Sequence, residues 1–222
     1  MAASTASVPD PARFLALSEA GARNAAEALS QLIGRPLNLE VPWARAVALN
    51  TVAEIVGGRS RPVCALSLRV FGGLRGNLLV LFGAEQVPLL LRLVLGGASG
   101  APAAPREGDE AWDNRLTDLQ RSALQEVGNI LAAAYLNALS GLLGVSLLPS
   151  IPGLAIDMAG AVTDYLLIEM APLTDTALVL ASGVHEPESG LKGEFFFLPD
   201  PSSYEALAAS PATASAAGGN RP

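Results

Sequence analysis

Three side chains in the stretch "SALQEVGNILAAAYLNALSGLL" (residues 122–143) have types and spacing suited to chemistry. They are Ser122, Glu126 and Asn129, four and then three residues apart. On a helix, that spacing stacks them along one face. The carboxylate accepts hydrogen bonds only, so it can grip an ammonium group. The carboxamide both donates and accepts, so it can hold and aim a water molecule. Neither group type is a strong base. The trio therefore suits entry into a site that already holds metal and phosphate better than it suits a self-sufficient active site. The plainer reading is that Glu and Asn on the outside of a helix are simply solvated.

The element that must carry them is a helix expected over 116–143. At 100° per residue, Leu124, Val127, Leu131, Ala134, Ala138 and Leu142 form its core face. Ser122, Glu126, Asn129, Ala133 and Asn137 form a narrow polar seam opposite, with the small Ala133 allowing another surface to approach. Residues 127–156 carry no charge and are long enough to span a bilayer. However, Asn129, Asn137, Ser140, Gly141 and Gly144 interrupt the run, Pro149 and Pro152 end it, and no Lys/Arg cluster flanks it. No membrane insertion is expected.

The chain repeats itself. "ALSQLIGRPLNLEVP" (28–42) and "ALSGLLGVSLLPSIP" (138–152) match at a constant offset of 110 residues. Each reads as a helix end, a capping glycine, a short strand and a proline stop. A second echo pairs "LRGNLLVLF" (74–82) with "LKGEFFFLP" (191–199), strands that lead into the helices "GAEQVPLLLRLVLG" and "DPSSYEALAA". "PVCALSLRVFG", "GAVTDYLLIEMAP" and "DTALVLASGV" read as strands between turn signals. The strands are expected to be joined by short turns, which favours antiparallel pairing. The expected fold is α+β: internally duplicated helix–strand repeats merging into a largely antiparallel sheet with helices packed on it, pseudo-two-fold symmetric. Its parts are a flexible N-terminus (1–10) and one domain (11–209) of two repeats, 11–96 and 115–209. A Gly/Ala/Pro-rich, then acidic, linker (97–114) joins them, and a disordered tail (210–222) follows.

Half of the 222 residues are apolar and 16% are charged, which excludes a disordered chain, and the formal charge of −7 argues against nucleic acid as a partner. The N-terminus has neither the basic start nor the apolar core of a secretory signal. The lone cysteine, Cys64, has no internal disulfide partner, which fits a cytoplasmic location. His185 is the only histidine and has no ligand-like neighbours in sequence, so no metal is expected on this chain. Ser140 lacks the strand–turn–helix setting of a hydrolase nucleophile, and its counterpart Ser30 points to a packing or helix-end role. Trp43 and Trp112 are expected to be cores of their loops.

The segment "EVGNILAAAYLNALSGLLGVSLLPSIPGLAIDMAGAV" resembles the CheC family of chemotaxis phosphatases, relatives of CheX and FliY. The family motif is Asp or Ser, three residues, Glu, two residues, Asn, then a proline some two dozen residues on. Ser122, Glu126, Asn129 and Pro152 fit it, and the likeness covers about residues 12–209. The resemblance implies a phosphatase of a phosphorylated CheY-type response regulator. Glu126 would pair with a lysine of the regulator, Asn129 would orient the attacking water, and Ser122 would support them. Magnesium would belong to the regulator, and this chain would bind no cofactor. The resemblance also implies CheD as a possible partner, with Asp157 in "AIDMAGAV" as its contact. Subtracting 110 from the motif positions gives Ala12, Ala16 and Glu19, so the first repeat is read as having lost its site. That loss leaves open a non-catalytic alternative: a flagellar-switch-like or CheD-binding adaptor.

Overall fold

The computed structural model describes residues 9–96, 115–168 and 170–209. Residues 1–8 of the expected flexible N-terminus, the linker 97–114 with Trp112, and the tail 210–222 lie outside these residues.

A short 3-10 turn, Pro11–Phe14, leads into helix α1 (Leu15–Ile33), strands β1 (Asn38–Leu39) and β2 (Trp43–Ala48), and the one-turn helix α2 (Val52–Ile55). Strands β3 (Pro62–Gly72) and β4 (Gly76–Gly83) and helix α3 (Val87–Leu95) complete the first half. The second half runs through α4 (Asp118–Leu143), β5 (Leu147–Pro149), β6 (Gly153–Met158) and α5 (Ala159–Leu167), then β7 (Thr176–His185), β8 (Lys192–Pro199) and α6 (Tyr204–Ala209).

The eight strands form one sheet in the order β1-β7-β8-β4-β3-β5, with β2 also on β7 and β6 also on β3. Every pair is antiparallel, and the fold is α+β. The two edges are built by exchange: β1 and β2 of the first half lie along β7 of the second, while β5 and β6 lie along β3. Each edge carries the same irregularity. From Leu39↔Val184 to Trp43↔Ala181, the edge advances four residues while β7 advances three. From Pro149↔Val70 to Gly153↔Ser67, the edge again advances four against three. This is a one-residue bulge, and it falls at Val41-Pro42 and Ile151-Pro152. Proline cannot donate to a ladder, so it is tolerated at such an edge bulge.

Side chains alternate across the sheet. Cys64, Leu66, Leu68 and Val70 of β3 face α1, α3 and α4 in the larger core. Val63 and Ala65 face α2 and α5 in the smaller one. Burial on both faces is why β3 and β4 read as nearly unbroken apolar runs. Helices α1 and α4 pack closely where α1 carries Gly21: a Cβ there would stand 2.6 Å from the Tyr135 ring. Tyr135 itself stacks on Phe195, with ring centroids 6.4 Å apart.

Several expectations are corrected. The run 160–172 is not a strand; it opens with α5, whose Ala159, Val162, Thr163, Leu166 and Leu167 are buried at helical spacing. The Thr163 hydroxyl closes the first turn onto the carbonyl of Ala159 at 2.8 Å. Thus short helices, not only turns, connect β2 to β3 and β6 to β7. Trp43 lies in strand β2, edge-on to Phe196, rather than in a loop. On α4 the buried stripe rotates along the helix. Leu124, Val127 and Leu131 are buried as expected, but beyond them the stripe passes to Tyr135, Leu136, Leu139 and Leu143. Ala134 and Ala138 are only half-buried and Leu142 is exposed, because α1 and β5 cover the second half of α4 from the side.

Candidate functional site

Helix α4 is well defined at both ends. Thr117 Oγ1 accepts the N–H of Gln120 at 3.3 Å, and Gln120 Oε1 accepts the N–H of Thr117 at 3.0 Å, a capping box. At the far end Gly144, with φ of 68°, takes the left-handed conformation that glycine adopts at little cost, and its N–H reaches the carbonyl of Ser140. Ser30 does the same for Gly34 on α1, so the paired serines sit at helix ends as expected.

Between these caps, Val127 and Gly128 turn inward while Glu126 and Asn129 turn outward. Gly128 lets the helix settle onto β3, since a Cβ there would lie 3.1 Å from that of Leu66. Ser122, Glu126, Asn129 and Asn137 are all exposed, and Ala133 between them is half-buried. Glu126 and Asn129 are separated by about 4.5 Å along the axis at a rise of about 1.5 Å per residue. Both are exposed and so can meet a group presented from outside.

One neighbour escaped the sequence reading. Gln125, exposed beside Glu126, donates from Nε2 to the carbonyl of Pro152 at 3.4 Å. The motif's proline is thereby brought against the helix that carries the acid and the amide. The bulge is held from its other side by Ser150. Its hydroxyl accepts the N–H of Arg69 at 3.0 Å and donates to the carbonyl of Ile151 at 2.9 Å. No periodicity announces this contact, because the glutamine lies 27 residues from the proline.

The corresponding face of α1 is exposed in the same places but differs in chemistry. Ala12, Ala16 and Glu19 are exposed, and Glu19 is paired with Arg23 one turn on. Burial along the two helices agrees at the offset of 110: Phe14, Leu17, Ser18, Gly21, Ala22, Ala25, Ala26, Leu29 and Ile33 are buried where Leu124, Val127, Gly128, Leu131, Ala132, Tyr135, Leu136, Leu139 and Leu143 are.

The remaining candidates lie apart. Asp157 is exposed next to the end of β6 rather than at a strand start, and its Oδ1 accepts the N–H of Met158 at 2.7 Å. Cys64 is fully buried, and burial pushes its thiol up to about 12, which makes it inert as a nucleophile. His185 is half-buried at the end of β7. Among the described residues, no group of three or more His, Cys, Asp or Glu side chains is placed to hold a metal ion. Nor, among them, is any helix long and apolar enough to cross a membrane. A cavity of about 450 Å³ lined by Ser67, Arg69, Asn77, Ser150 and Tyr165 opens on the opposite face of the sheet from α4, so it does not belong to the seam.

Comparison with known proteins agrees with this layout. The profile of the CheC-like family matches residues 119–156, from the first turn of α4 into β6. The CheY-P phosphatase CheC of Bacillus subtilis (strain 168) is 32% identical over 189 residues, spanning 84% of this chain and 86% of the relative. Among solved structures, Thermotoga maritima FliY superposes with a TM-score of 0.62 at 21% identity, covering 87% of this chain and 91% of that one. The CheX–CheY–BeF3–Mg complex from Borrelia burgdorferi aligns with a TM-score of 0.52 at 13% identity, covering 82% of this chain and 96% of the matched one. Those two similarities speak to fold.

Proposed function

The chain belongs to the CheC-like family, and from that premise we propose that it is a phosphatase of the aspartyl phosphate on a CheY-type response regulator, with one working site, on α4. The observation that carries the proposal is the exposed pair Glu126 and Asn129 on a doubly capped helix, set against Ala16 and Glu19 at the matching positions of α1.

In this reading the regulator brings the phosphoryl group, its magnesium ion and a lysine. Glu126 takes the lysine ammonium as a charge-assisted partner, which fixes the regulator's register on the helix. Asn129 enters beside the phosphate and aims a water at phosphorus. The water oxygen bonds to phosphorus, the bond from phosphorus to the aspartate oxygen breaks, and the products are aspartate and inorganic phosphate. Such transfer depends mainly on positioning and charge neutralisation, so an amide is sufficient even though it is a weak base. Magnesium supplies the charge neutralisation and stays on the regulator. Ser122, one turn before Glu126, plays a supporting part. Asp157, exposed on an edge strand, is the contact we propose for CheD.

The vacated first half favours a second reading, a flagellar-switch-like or CheD-binding adaptor that uses the fold without chemistry. The structural likeness to FliY fits it. Phosphate release from a purified phosphorylated CheY-type regulator, with and without this chain, separates the two. Accelerated release supports the phosphatase. Stable binding with no acceleration supports the adaptor.

A further inference from the structure

Glu126 and Asn129 are solvent-exposed polar groups, and contacts of that kind contribute little net affinity. A regulator held only by them would dissociate readily. Two large apolar side chains stand in water, one on this helix and one on the bulge joined to it. Ile151 is 90% exposed at the tip of the edge bulge. Leu119 is 66% exposed and lies on the same stripe of α4, about two turns before Glu126.

Ile151 is not loose. The backbone before it is fixed by the exchange of hydrogen bonds between Ser150 and Arg69. Its own carbonyl takes the Ser150 hydroxyl, and the next carbonyl takes Gln125. A rigid backbone that presents an isoleucine to water contributes nothing to the core. It does lower the ordering cost of burying that side chain against another surface.

We infer that Leu119 and Ile151 are the apolar docking contacts for the response regulator, flanking the acid–amide pair so that affinity and chemistry reside in different side chains. The inference rests on the phosphatase reading of α4. The occupant must bring an ammonium to Glu126 and a phosphoryl group to Asn129, so its surface around those groups lies over this stretch of helix and the bulge pinned to it. The first half keeps the matching residue, Val41, 87% exposed at its own bulge, but has no acid–amide pair beside it.

The test uses the full chain and a CheY-type regulator loaded with beryllofluoride and magnesium as a stable phosphate mimic. Ile151→Ser and Leu119→Ser should each weaken affinity about tenfold, the scale of losing one buried aliphatic side chain, and raise KM with kcat unchanged. Both residues are exposed, so the fold should survive, as circular dichroism would show. Val41→Ser should leave affinity unchanged. Unchanged affinity in Ile151→Ser overturns the inference. An equal loss in Val41→Ser overturns it too, as does a change in the chain's own oligomeric state in place of lost affinity, which would assign the patch to a second copy. Phosphate release keeps the two ideas apart: no acceleration by the unaltered chain removes the phosphatase reading, and full kcat in Asn129→Ala removes the positioned amide, whatever the Ile151 result.

Discussion

The side-chain amide of Gln125 meets the carbonyl of Pro152 across 3.4 Å, joining the helix that carries Glu126 and Asn129 to a proline-broken edge strand. The contact makes helix and bulge one surface. An exposed neutral hydrogen bond contributes of the order of 1 kcal/mol or less. Gln125→Ala should therefore weaken regulator binding about threefold while leaving kcat intact. Titration of the variant against the loaded regulator measures this, and a fall in kcat with unchanged affinity would move Gln125 into the chemistry.

Gly21 and Tyr135 set the spacing of the two long helices. Alanine is ordinarily better than glycine inside a helix by about 1 kcal/mol. Here the added methyl would overlap the buried ring at 2.6 Å, and overpacking costs about 1–3 kcal/mol. Gly21→Ala should thus lower the urea midpoint, whereas a raised midpoint would mean that α1 and α4 are further apart than described.

Two buried groups give stability a pH dependence. Burial raises the Cys64 thiol from 9.0 to about 12. The unfolded chain therefore ionises first, and the stability held below about pH 9 is lost as pH rises toward 12. Glu186 shifts the other way. The Ser189 side-chain hydrogen bond lowers it most, and backbone N–H groups of Glu188 and Ser189 and the nearby Arg35 add to this, while burial opposes them. Its contribution is present above the ordinary carboxylate range and is lost as pH falls through its lowered value. Urea melts across pH should show Cys64→Ala flattening the alkaline limb and Glu186→Gln flattening the acid limb. An unchanged alkaline limb would contradict the burial of Cys64, and an unchanged acid limb the hydrogen bonds to Glu186.

Much of this was legible in the sequence because the signals are local. The capping glycine of α4, Gly144, and the apolar runs of β3, β4, β7 and β8 declare themselves within a few residues. The outward seam was legible because Ser122, Glu126, Asn129 and Asn137 recur at helical spacing opposite the apolar stripe of Leu124, Val127 and Leu131. One failure was local ambiguity: helix α5 follows β6 with no breaker between them, and an apolar run that short fits either period, so 160–172 read as strand. The rest depended on neighbours far along the chain. The covering of α4 by α1, which leaves Leu142 in water and buries Leu143, is tertiary, as is the exchange of edge strands between halves. The Gln125–Pro152 contact bridges two elements, and periodicity cannot report it.

The first half should be silent in catalysis. Glu19 pairs with Arg23 and has no amide partner, so Glu19→Ala should leave phosphate release unchanged. The double variant Ala16→Glu with Glu19→Asn should at most double the rate per chain, since it can add one site to one. A marked loss in Glu19→Ala would show that α1 still works on the regulator.

The most direct measurement is the rate of phosphate release from a phosphorylated CheY-type regulator with the Asn129→Ala chain, taken alongside the chain's affinity for the loaded regulator. Loss of one positioned water should cut stimulated release by about 100-fold or more, with affinity retained. Release at the full rate with the amide gone would contradict the account.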